Sequence, residues 1–190
     1  GLAESSLSAT AKITGFPASM QGTADVSLLT PDASSILLML SERFPAMTAF
    51  GALSDRSLLY PGLFADAKID IVASLLGAAD ERETTLSVSA AAGGGLYSAT
   101  GTFKGDLAKP NELTGSLAAQ GRHEDPLALL AMAGVGVLPV GTLSPATFEL
   151  NAKGSGINGF DVNSKIKSDE LSGSLAGLFS SGASGFSGRG

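Results

Sequence analysis

Apolar and polar residues alternate one for one along most of this chain, and that period of two constrains the fold more than any other feature. Leu7, Ala9, Ala11 and Ile13 are interleaved with Ser8, Thr10, Lys12 and Thr14. The same alternation runs through Met20–Leu28, Ala67–Ala73, Leu86–Ala90, Tyr97–Phe103, Leu113–Ala119, Ala146–Ala152, Phe160–Ile166 and Leu171–Gly177. Successive side chains of a strand point to opposite sides, so each segment predicts a strand with one dry and one wet face. Parallel strands covered on both faces read instead as unbroken apolar runs, which makes this pattern antiparallel.

Two helices are expected between the strands. Thr30-Pro31-Asp32 leads into Ile36-Leu37-Leu38-Met39-Leu40, and Glu124-Asp125-Pro126 leads into Leu127, Leu129, Leu130 and Met132. Asp or Thr caps a helix start, and proline suits its first turn. A third, weaker helix is expected over 47–53. The run from Pro126 to Phe148 is uncharged but broken by Gly134, Gly136, Pro139, Gly141 and Pro145. It therefore reads as a short helix and a loop and not as a membrane span, which needs about 20 consecutive apolar residues.

Strands and helices recur in order. Ser8-Ala9-Thr10-Ala11-Lys12-Ile13-Thr14-Gly15 aligns with Ser98-Ala99-Thr100-Gly101-Thr102-Phe103-Lys104-Gly105 at an offset of 90. Pro17, Gly22, Asp32, Leu37 and Met39 align with Pro110, Gly115, Asp125, Leu130 and Met132 at an offset of 93. Repetition of this kind suggests an array that grows by stacking units. The expected fold is mainly β with short helices (α+β): a curved antiparallel sheet of about nine strands, built from two related strand–strand–helix units. Residues 1–7 read as a linker, 8–95 as the first unit with a capped helix over 31–43, 96–178 as the second with a helix over 125–133, and 179–190 as a flexible tail. Neither end has the look of a natural terminus, so a segment of a longer secreted or periplasmic chain is expected.

Charge and composition narrow the function. The net charge of −6 and a pI near 4.7 argue against nucleic acid, whose binding rests on clustered Lys and Arg. They also argue against attraction to an anionic membrane surface. With no cysteine, thiolate chemistry and disulfides are excluded.

The candidate chemical motifs read as structure. Gly154-Ser155-Gly156-Ile157-Asn158-Gly159 has the spacing of a dinucleotide loop, but Phe160-Asp161-Val162-Asn163 continues as a strand where a helix is required, so a hairpin turn is expected. Gly93-Gly94-Gly95 lacks the Gly-Lys-Ser/Thr of a phosphate loop and also reads as a turn. His123, the sole histidine, is read as an exposed loop residue. Asp80-Glu81-Arg82-Glu83 is read as a solvated hairpin tip. No nucleophile, base and orienting group assemble, so no enzyme, catalytic residue, metal site or cofactor is expected.

The apolar face is the informative feature. Nine strands about 4.8 Å apart and about 25 Å long give a face of order 1,000 Å². Two short helices cover on the order of 300 Å² of it, whereas soluble monomers seldom expose apolar patches beyond a few hundred Å². Either the sheet closes on itself as a sandwich or barrel, or the face is a groove for lipid. Closure has the physical precedent, because apolar area is normally buried. The candidate lining residues of a groove are Val26, Leu28, Ile69, Ile71, Phe103, Leu117, Phe148 and Leu150.

The chain resembles the AsmA-like family of Gram-negative bacteria. The resemblance rests on Ile13-Thr14-Gly15-Phe16-Pro17, Gln21-Gly22-Thr23-Ala24-Asp25-Val26-Ser27-Leu28 and Thr30-Pro31-Asp32. Ser98–Leu107, Leu113-Thr114-Gly115-Ser116-Leu117 and Asp125-Pro126-Leu127-Ala128-Leu129-Leu130 reinforce it. It covers most of residues 8–178. It implies a periplasmic protein tethered to the inner membrane by an N-terminal helix that this sequence lacks. It further implies a repeating β-groove with an apolar interior, phospholipid acyl chains and neighbouring repeats as partners, and a role in outer-membrane biogenesis without catalysis. The alternative is a structural or adhesive β-domain with a closed core.

Overall fold

A computed structural model describes residues 4–15, 19–43, 48–78, 81–106, 112–132, 144–156, 158–170, 172–179 and 186–188. In chain order the elements are β1 (Ser6–Thr14), β2 (Met20–Asp32), α1 (Ser34–Arg43), α2 (Thr48–Leu59), β3 (Ala65–Gly77), β4 (Glu83–Ala92), β5 (Gly95–Lys104), β6 (Thr114–His123), α3 (Pro126–Met132), β7 (Ala146–Ser155), β8 (Gly159–Lys167), β9 (Ser172–Phe179) and β10 (Phe186–Gly188). The strands form one open, curved antiparallel sheet in sequence order, each paired with its chain neighbours. The architecture is mainly β with short helices, as the alternation requires. All nine alternating segments are strands; the tenth, β10, has three residues and lies within the stretch read as a tail.

The sheet does not close. Its order runs from β1 to β10, and among the described residues the first and last strands do not pair and no second sheet covers it. Of the two alternatives for the apolar face, closure as a sandwich or barrel is therefore not the one adopted. The accessible surface is 12044 Å², whereas a compact monomer of this mass exposes roughly 8,300 Å².

The helices shift from their expected bounds for identifiable reasons. Helix α1 starts at Ser34 and not at residue 31, because Thr30 and Asp32 still pair with Ala67 and Ala65 of β3. Pro31 ends a strand there and opens no helix, in keeping with its lack of an N–H and the extended bias it imposes on Thr30. Helix α3 does open on Pro126, with Asp125 Oδ1 accepting from Leu127 N at 2.9 Å as an N-cap. The weaker third helix is α2, which continues to Leu59. The loop read after α3 falls at 133–143, outside the described residues.

Turns carry the glycine signals. Gly93 and Gly94 have φ of +58° and +84°, so both take the left-handed region of a two-residue hairpin turn between β4 and β5. Any Cβ on Gly93 would sit 2.4 Å from Leu63 O, so the turn is also a close approach. The Gly154–Gly159 segment joins β7 to β8 as a turn, as its strand context requires; Ile157 lies outside the described residues.

The repeat extends into the hydrogen-bond register. Shifting β1 by 90 and β2 by 93 turns the pairs Leu7↔Leu28 and Ala9↔Val26 into Tyr97↔Gly121 and Ala99↔Ala119, which are pairs of β5 and β6. Shifting β3 by 79 maps Val26↔Ile71 onto Ala119↔Leu150 of β6 and β7. Shifting β4 by 76 maps Ile71↔Val88 onto Leu150↔Ser164 of β7 and β8. A unit is thus four strands with a helical insert after the second, two strands more than the strand–strand–helix expected. Strand β9 occupies the place of β5, since Val88↔Ala99 maps onto Ser164↔Leu175 at an offset of 76.

Candidate functional site

Cross-strand pairing turns the alternation into rows that run across the sheet. One row reads Leu7, Leu28, Ile69, Ala90, Tyr97, Gly121, Phe148, Ile166. The next reads Ala9, Val26, Ile71, Val88, Ala99, Ala119, Leu150, Ser164, and a third reads Ala11, Ala24, Ala73, Leu86, Gly101, Leu117, Ala152, Val162. Phe103 lies in a fourth, between Thr84 and Gly115. All eight candidate lining residues therefore share one face and join contiguous rows. All eight are half-buried, packed on their neighbours but not sealed. Along β2 to β8, the described strand positions on this face carry one charged residue, Asp32 at the helical end of β2.

The aromatic rings lie over glycines. A Cβ on Gly121 would meet Phe148 Cε1 at 2.3 Å and Tyr97 Cδ1 at 2.7 Å; one on Gly101 would meet Phe103 Cε2 at 2.8 Å. The rings thus rest on bare backbone, with Tyr97 and Phe148 tilted at 41° and 6.4 Å between centroids. Tyr97 belongs to this surface although the candidate set omitted it. Its signal was a glycine directly across the neighbouring strand.

One end of the face is sealed by helices. Thr30, Ala67, Ala92, Gly95, His123 and Ala146 continue the same face, and all are buried. Ala67 and Ala92 cluster there with Ala33, Leu63, Phe64 and Ala128, flanked by Leu37, Leu53, Tyr60 and Met132. His123 is only 4% exposed, which corrects its reading as an exposed loop residue. Its Nδ1 accepts from Asp125 N at 2.8 Å, so the proton sits on Nε2, which donates to Gly93 O at 2.7 Å. Both ring nitrogens are thereby committed to backbone, and neither is free for a substrate.

The same wiring occurs one unit earlier. Thr30 Oγ1 accepts from Asp32 N at 3.4 Å, and Asp32 Oδ1 accepts from Ser34 N at 2.8 Å. In the second unit Asp125 also accepts from the Tyr60 hydroxyl. Burial, together with this bond and the charge of Asp125, pushes Tyr60 up to about 12. Burial alone pushes Tyr97 up to about 12, and its hydroxyl has no hydrogen-bond partner in the protein.

The opposite face is polar and exposed. A depression of about 790 Å³, open to solvent, runs over Thr85, Thr100, Ser116, Asn151, Lys153 and Asp161 of five adjacent strands and also touches Gly101, Leu117 and Ala152 of the apolar rows. Among the described residues, no helix is long and apolar enough to cross a membrane, and no cluster of potential ligands could hold a metal ion. Compared with protein-family models, curated proteins and solved structures, the chain matches none.

Proposed function

We propose that this chain is a non-catalytic periplasmic segment of an AsmA-like protein of outer-membrane biogenesis, and that its apolar sheet face contacts phospholipid acyl chains. The observation that carries this reading is the set of contiguous, charge-free apolar rows left half-buried on an open sheet. Apolar area gains about 25 cal/mol per Å² when removed from water, so a face of this size favours an apolar partner. The helical plug gives the face a closed end. Family and compartment rest on the sequence resemblance, and the reading assigns acyl chains to the apolar face and not to the polar one.

The test is face-specific. Benzoylphenylalanine placed at Leu117, on the apolar face, should crosslink phospholipid when the protein is illuminated with liposomes. The same group at Ala118, on the polar face, should not. Equal crosslinking at both positions, or none at Leu117, contradicts the proposal.

A further inference from the structure

We propose that Arg82 and Thr84 form a headgroup site for an anionic, phosphate-bearing amphiphile whose acyl chain lies along the apolar face; the inference rests on the acyl-chain reading above. Thr84 is the first residue of β4 on that face, and Arg82 continues the alternation one step beyond the strand. Arg82 is thus a cation at the unplugged end of a face whose described strand positions are uncharged apart from Asp32 at the opposite, helical end. Its reading as part of a solvated tip missed this, because the alternation of β4 was traced only from Leu86.

The two side chains have spare donors. Arg82 Nε and Thr84 Oγ1 are buried with no hydrogen-bond partner in the protein. Among the described residues, Arg82 Nη2 has the thioether of Met20, a weak acceptor, at 3.5 Å. Neither ion pair recorded among the described residues involves Arg82; nearby Glu83 is taken by Lys104 at 3.4 Å. Buried donors without partners are rare and call for an acceptor. A phosphate suits both, since guanidinium binds its oxygens through parallel N–H donors and a hydroxyl adds one more.

The spacing fits one chain. From Thr84 to Ala90, which pairs with Tyr97 beside the helical plug, six residues of strand span about 20 Å. The hydrocarbon core of a bilayer is about 30 Å thick for two leaflets, so one acyl chain fits between Arg82 and the plug. The net charge of −6 does not decide the matter at physiological salt, where charges beyond about 8 Å are screened.

The experiment uses the full 190-residue chain and two probes with the same sixteen-carbon chain, palmitoyl lysophosphatidic acid and monopalmitoylglycerol, titrated by calorimetry at 0.15 M salt. The phosphate probe should bind about tenfold tighter, the worth of one charge-assisted contact. R82Q should abolish that preference and leave monopalmitoylglycerol binding unchanged, while R82K restores part of it. Inorganic phosphate at equal concentration should displace neither. If the wild type binds both probes equally, or R82Q keeps the preference, the headgroup site is overturned while acyl binding stands. If neither probe binds, the acyl-chain reading fails and the headgroup site with it. Unchanged thermal midpoints for R82Q and R82K confirm that the comparison is between folded proteins.

Discussion

At the scale of single residues, the two tyrosines give a pH signature, because the chain has only these two. Both are pushed up to about 12, Tyr60 by burial and its bond to Asp125, Tyr97 by burial. An unfolded tyrosine ionises near 10. Between pH 10 and 12 the unfolded chain therefore releases phenolic protons that the folded chain retains, and stability falls as pH rises through that window, with nothing lost below it. Phenolate absorbance should stay low at pH 10.5 in the native protein and appear at once on adding urea. Half-ionised tyrosine in the native protein at pH 10 contradicts this. Asp125 is the second residue-scale case. It caps α3 and accepts from Tyr60, whereas Asp32 only caps α1. Urea unfolding should show Asp125→Ala destabilising by about 2 kcal/mol and Asp32→Ala by about 1; equal losses would mean the Tyr60 bond contributes nothing.

At the scale of elements, glycine and ring act together. Gly121→Ala drives a methyl into the Phe148 ring and the edge of Tyr97, side chains that can be trimmed. Gly115→Ala drives it first into Thr102 O at 2.4 Å, which is backbone. Each should cost about 1–3 kcal/mol. In double-mutant cycles Phe148→Ala should relieve part of the Gly121→Ala loss, and Phe103→Ala should relieve little of the Gly115→Ala loss. Equal relief in both cycles contradicts the geometry. Strands were legible in the sequence because a half-buried strand leaves a period of two whatever its partners, and that the eight candidate residues share one face was legible for the same reason. Register and unit length were not. Ile69 and Phe148, or Val88 and Ser164, occupy equivalent places while sharing no identity, so only the pairing reveals β3–β4 and β7–β8 as copies. His123 was misplaced because its polarity suggested solvent; what buries it is the Gly93 carbonyl, which comes close only once the β4–β5 turn has formed. Arg82 does lie in the β3–β4 hairpin connection, as read, but it is half-buried beside Met20 and not fully solvated, which the acids around it in sequence concealed.

At the scale of the whole molecule, the sheet leaves far more surface in water than a closed globule of this mass, and its sealed core is confined to the helical end. A chain built this way responds unusually to a charge on its apolar face. Leu117 is half-buried on an open surface, so Leu117→Asp should cost about 1–2 kcal/mol in urea unfolding. Breaking a sealed core with an unpaired charge costs about 3–5. A loss of the larger size would mean that the face is covered within the protein itself. What the open face holds is decided most directly by native mass spectrometry of protein purified without detergent from Gram-negative cells. The expected result is a set of adducts with phospholipid masses on the wild type, strongly depleted in Leu117→Asp. Spectra free of lipid for the wild type, or adducts equally abundant on the variant, would contradict the account.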